Sequence, residues 1–168
     1  MWEKRGEMGQ AGKAAGTMAR AGGLCAAMLV SAALLTPAAK AVDLDKAAIN
    51  IVLPDQIPWK DRPFMAGLKE AVLAGDPSKP GIYVVLVKWL PHNMSRPHFH
   101  PNDRFIKVLS GTWWVGTGPK FDPENTVPLP AGSFVTHFAK QVHYDGAKDE
   151  ETVLEIVGEG PATSVPVK

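Results

Sequence analysis

After Gly75 the chain is cut into short runs of β-branched and aromatic residues, each closed by glycine, proline, asparagine or aspartate, with no long amphipathic helix between them. Ile82 to Leu90 reads Ile-Tyr-Val-Val-Leu-Val-Lys-Trp-Leu, a strand composition. It follows Gly75-Asp76-Pro77-Ser78-Lys79-Pro80-Gly81, a strong turn signal. Phe105 to Leu109 and Thr112 to Val115 read as a hairpin around Ser110-Gly111, and Gly116 to Pro119 and Asp122 to Asn125 as a loop. Ser133 to Phe138 and Thr152 to Val157 are further strands, and Asn50 to Leu53 is another, closed by Pro54. Residues 62–74 fit either a helix or a strand over Leu68 to Leu73. Many short strands with 16 Gly and 15 Pro between them imply an all-β sandwich or barrel.

The first 41 residues stand apart. Lys4, Arg5, Lys13 and Arg20 precede an apolar run from Leu24 to Leu35, and Ala39-Lys40-Ala41 puts small residues where a signal peptidase needs them. The run is too short to span ~30 Å of hydrocarbon. The expectation is a signal peptide over 1–41, with Met1 or Met18 as its start, cleaved before Val42 to leave a periplasmic or secreted domain at 42–168. Cys25, the only cysteine, leaves with it, and Gly22-Gly23-Leu24 before it does not resemble a lipoprotein cleavage site. Residues 42–168 carry 13 Lys and Arg against 15 Asp and Glu, which gives no reason to expect nucleic acid or, after cleavage, a membrane as partner.

All five histidines lie between His92 and His143. In Pro97-His98-Phe99-His100 the two imidazoles are two residues apart, so on an extended chain they face the same side and can share one cation. Here the chain resembles the cupin superfamily. The first cupin motif is Gly, five residues, His-x-His, three or four residues, Glu, six residues, Gly. In this sequence its places hold His92, His98, His100, Arg104 and Gly111. The second motif, Gly, five residues, Pro, one, Gly, two, His, three, Asn, falls on Gly132, Phe138, Lys140, His143 and Ala147. Five positions match: His98, His100, Gly111, Gly132 and His143. His92, Arg104, Phe138, Lys140 and Ala147 depart from the pattern. Gly75 to Gly81, His100 to Asp103 and Val108 to Thr112 also look like a group of secreted bacterial cupins.

The resemblance covers about residues 49–160 and implies a double-stranded β-helix, a relative of the jelly roll. It also implies one divalent transition metal held by His98, His100 and His143, with Fe(II) favoured and Mn, Ni or Zn open. His143 is expected at the start of a turn. His137 is a second residue to place, near the metal or simply buried, and His92 is expected at the surface. Edge-strand pairing into a homodimer is a further implication.

Arg104 is the telling departure, because a guanidinium has no lone pair to give a metal and stays protonated. Alternation places Arg104, Ile106 and Val108 inward and Phe105, Lys107 and Leu109 outward. At ~8 Å from a divalent ion its repulsion is on the order of 4 kcal/mol at an effective dielectric of ~20. An anionic ligand bridging ion and arginine relieves that, as does a turn of Arg104 toward Asp103; failing a metal, Arg104 could anchor an acid directly. Three functions follow. The first is an Fe(II) dioxygenase-type enzyme on a small anionic or enolisable substrate, with Arg104 stabilising developing charge; it resembles three-histidine cupin dioxygenases that cleave thiols or β-diketones. The second is a non-catalytic periplasmic module binding a small molecule or metal. The third is a metal-assisted lyase or isomerase with His137 or Tyr144 carrying a proton. Trp59, Trp89, Trp113 and Trp114 serve as pocket lining, core or interface.

Overall fold

The computed structural model describes residues 43–63 and 65–167. The expected signal segment, with Cys25, and Phe64 lie outside them. Twelve strands make up the described chain: β1 (Lys60–Asp61), β2 (Leu68–Ala74), β3 (Gly81–Trp89), β4 (Asn93–Met94), β5 (His98–Phe99), β6 (Arg104–Ser110), β7 (Thr112–Thr117), β8 (Val127–Pro130), β9 (Phe134–His137), β10 (His143–Ala147), β11 (Thr152–Gly160) and β12 (Val165–Pro166). The first sheet runs β1-β2-β3-β11-β6-β9; the second runs β12-β5-β10-β7-β8, with β4 also on β10. Every pairing is antiparallel. The all-β class read from the sequence is the class observed.

Alternation explains the core. On β3, Tyr83, Val85, Val87 and Trp89 are buried, and on β6 Ile106 and Val108 point the same way. Leu154 and Ile156 of β11 lie between them, in register with Val87 and Val85 on one side and with Val108 and Ile106 on the other. Trp113 of β7 packs into this cluster from the second sheet. A fully buried side chain of this kind contributes roughly 1.5–3 kcal/mol.

Several local expectations are corrected. The apolar run at Asn50 to Leu53 is not a strand: it is exposed and leads into a 3-10 turn at Pro54–Gln56. It has composition but no ladder partner. Within residues 62–74 the strand reading holds, from Leu68, with a bulge between Val72 and Ala74. Phe105 to Leu109 and Thr112 to Val115 are strands but not a hairpin. β6 pairs with β11 and β9, and β7 with β10 and β8, so Gly111, at φ 71°, carries the chain from one sheet to the other. β7 also continues through Gly116 to Thr117, and β8 and β10 form where no strand was expected.

Candidate metal centre

The second sheet supplies two of the three clustered histidines and leads into the third. His98 of β5 and His143 of β10 are register partners, and directly opposed residues project from the same face of a ladder. His100 lies one residue beyond β5 and two beyond His98. The three rings close into a triangle, with centroids 4.8 Å apart for His98 and His100, 4.6 Å for His98 and His143, and 5.1 Å for His100 and His143. One ligand atom from each lies within 4.8 Å of the others. His143 opens a strand rather than a turn, and both it and His100 are buried.

The backbone fixes the chemistry of each ring. Nδ1 lies 2.8 Å from Arg96 O in His98, 2.8 Å from Thr163 O in His100 and 3.0 Å from Gln141 O in His143. A carbonyl can only accept, so each Nδ1 carries the proton and each Nε2 presents a lone pair. This is how metal-ligating histidines are oriented. His100 is braced further by the Lys140 N–H, which donates to its carbonyl at 2.7 Å. The donor set therefore fits a divalent transition metal.

The first sheet supplies the rest. Arg104 on β6 and His137 on β9 are register partners and both point inward. Arg104 Nη1 donates to His100 Nε2 at 3.1 Å, so the inward orientation expected from alternation is what the structure has. The alternative turn toward Asp103 does not occur, because Asp103 accepts from the Ala139 N–H instead. His137 is buried against Trp113, with ring centroids 5.3 Å apart, and lies 3.7 Å from the His143 ring. A cavity of about 230 Å³ opens beside the cluster, with His98, His100, Arg104 and His137 in its wall and Tyr83 and Ile106 on its apolar side.

Burial favours the neutral form of His100, His137 and His143. It pushes the His100 pKa down to about 3, with Arg104 adding to the effect, and the His137 pKa down to about 2, with His143 and His100 adding. His143 is also lowered by burial, against the opposing pull of the Asp145 carboxylate. Arg104 is lowered by burial and supported by Tyr83 and Asp145.

Asp145 is the residue that sequence reading missed. It is buried, its Oδ2 lies 3.9 Å from His143 Nε2, and Trp113 Nε1 donates to its Oδ1 at 3.4 Å. The signal was available: Asp145 stands two residues after His143, the spacing that pairs His98 with His100. Its carboxylate offsets positive charge that the sequence reading left uncompensated. Tyr144, between them, points to the other face of the sheet. Its hydroxyl donates to Asp122 O at 3.0 Å and its ring packs on Gly116 and Phe121, so it is removed as a proton carrier. His92 is exposed. Of the tryptophans, Trp89 and Trp113 line the cavity, whereas Trp59 and Trp114 are covered by Lys88 and Lys148.

No family model matches the chain, and no curated protein matches it. Solved structures do. The polyketide cyclase RemF from Streptomyces resistomycificus aligns with a TM-score of 0.59 at 15% identity, over 71% of this chain and 86% of its own. An RmlC-like cupin from Ralstonia eutropha aligns with a TM-score of 0.53 at 18% identity, over 68% and 71%. A structure described under the DMSP lyases RdDddP and RnDddQII aligns with a TM-score of 0.53 at 17% identity, over 67% and 63%. The fold is the cupin double-stranded β-helix. Within it His98, His100 and His143 form a cluster compatible with a divalent metal.

Proposed function

We propose that this chain is an exported, mononuclear metal-dependent enzyme that acts on a small anionic or enolisable molecule. The observation that carries the reading is the set of three Nδ1–H groups held by backbone carbonyls, which aims three Nε2 lone pairs at one point. A divalent metal there supplies a Lewis acid with positions left for substrate. Arg104 supplies the anion preference. Its guanidinium now donates to a neutral nitrogen, and a carboxylate or enolate in the cavity offers it a charged acceptor and a stronger hydrogen bond. Asp145, fixed by Trp113, limits the charge the site must carry when no substrate is present.

Fe(II)-dependent dioxygenation is the first reaction class and a metal-assisted lyase or isomerase the second. The second is favoured by the cyclase and lyase names among proteins of the same fold. The protein is expected to bind one Zn(II) or Fe(II) per chain, with His98→Ala, His100→Ala and His143→Ala each losing it. Arg104→Glu should bind metal more tightly and small carboxylates more weakly; unchanged affinities for both would remove Arg104 from the site. Oxygen uptake by the Fe(II)-loaded protein with a β-diketone such as acetylacetone supports dioxygenation. Exchange of substrate protons with solvent in the absence of oxygen uptake supports the second class, and neither result leaves a binding module.

A further inference from the structure

His143 belongs to two donor groups at once. One is His98, His100 and His143; the other is His137, His143 and Asp145, and in each the ligand atoms lie within 4.8 Å of one another. Among the described residues, the buried side-chain nitrogen and oxygen atoms without a hydrogen-bond partner are His137 Nε2 and His143 Nε2. Their rings are 3.7 Å apart. Orphaned buried polar atoms are costly and call for an explanation, and two adjacent ones call for a shared partner.

The ladder says where that partner belongs. Arg104 stands in the place where the cupin motif carries a metal-binding glutamate, and His137 is directly opposite it on β9, facing the same interior. We propose that His137 is a fourth protein ligand of the ion held by His98, His100 and His143. The carboxylate missing at residue 104 is then replaced from across the ladder by a neutral imidazole. The inference rests on the metal reading above and adds to it a residue that the motif does not contain.

Three features support the assignment over a purely structural role. Trp113 backs the His137 ring and restricts its motion. The rings of His100 and His137 are 6.5 Å apart and nearly parallel, at 14°, so His137 borders the triangle beside His100 as well as beside His143. Asp145 is the rival fourth donor, with its Oδ2 3.9 Å from His143 Nε2, but the buried atoms left without a partner among the described residues are His137 Nε2 and His143 Nε2. A ligand set of four neutral imidazoles contributes no negative charge. The ligands themselves then take nothing from the ion's attraction for an anion, in agreement with Arg104 beside it. A histidine that ligates has no lone pair free for a proton, which excludes His137 as a general base in the loaded protein.

Zn(II) is the probe. Affinity is read by competition with a fluorescent chelator, and the number of coordinated imidazoles by X-ray absorption fine structure. The wild-type protein is expected to show four imidazoles. His137→Phe and His137→Gln should each show three and bind about a hundredfold more weakly, since structural zinc affinity is spread over its ligands. Circular dichroism of both variants checks that the barrel persists. His98→Ala is the control for the parent reading: if it leaves Zn(II) binding intact, that reading fails and this one with it. If His98→Ala loses the metal while a folded His137 variant keeps wild-type affinity, or if the wild type shows three imidazoles, the fourth-ligand proposal alone is overturned. Water bridging the two lone pairs, or Asp145 as the fourth donor, would give that result.

Discussion

His92 and Lys140 hold left-handed backbone, at φ 62° and 63°, a region that costs an ordinary L-residue roughly 1–2 kcal/mol. Both stand where the cupin motifs carry glycine, and the two motif glycines that are kept, Gly111 and Gly132, have φ of 71° and 93°. The motif specifies backbone at these four places, so its geometry survives the loss of two glycines. The N–H groups show what the geometry is for: Lys140 donates to His100 O and His92 to Lys148 O, each at 2.7 Å. Lys140→Gly should therefore stabilise the protein by up to ~1 kcal/mol, relief of strain exceeding the added freedom of the unfolded chain. The measurement is urea unfolding, with the midpoint raised and the slope unchanged. A lowered midpoint would mean that the exposed lysine side chain does more than its position suggests.

At the scale of strands, Gly111 separates two that lie in different sheets, and a side-chain hydrogen bond beside it links those sheets. Thr152 of β11 is fully buried and donates from Oγ1 to Thr112 O on β7 at 2.8 Å. Pro130, the register partner of Thr112, has no N–H to offer that carbonyl. Thr152→Val keeps the volume and removes the donor, and is expected to cost about 1–2 kcal/mol in denaturant unfolding; no loss would show that water or another group replaces it. This junction is also where sequence reading fell short. Runs such as Ile82 to Leu90 were legible because alternation and β-branching are local. Partner choice was not, because β6 finds β11 more than forty residues away, and nothing in Ser110-Gly111 distinguishes a hairpin turn from a step between sheets. β8 was hidden by Pro128 and Pro130, which are tolerated there because it is an edge strand. In the site, His98, His100 and His143 were legible through fixed spacing, and the inward face of Arg104 through alternation. Asp145 and the pairing of Arg104 with His137 depend on register, which the sequence does not display.

Both sheets of the barrel contribute polar side chains to one site beside the apolar core. His98, His143 and Asp145 come from one sheet, Arg104 and His137 from the other, so folding the two sheets together also desolvates the imidazoles. That has a pH consequence for chelator-treated protein. His100 and His137 have folded pKa values pushed down to about 3 and about 2, while in the unfolded chain both return to about 6.5. The unfolded state therefore binds more protons below pH 6.5. Stability is fully present above that value and is lost as the pH falls toward 3, by about 2 kcal/mol at pH 5 for each imidazole that stays neutral. A metal bound only by the folded protein acts in the opposite sense: at a hundredfold above its dissociation constant it adds about 2.7 kcal/mol. In the folded protein the His100 and His137 lone pairs are free of protons at both pH 7.5 and pH 5, so the gain on adding Zn(II) should be of similar size at the two values while the protein without metal loses stability. Thermal unfolding with and without Zn(II) at the two pH values measures both terms. In His98→Ala the acid sensitivity should persist, since His100 and His137 stay buried, while the metal-dependent gain disappears. An equal Zn(II) effect in the two proteins would place the ion away from the triangle of histidines.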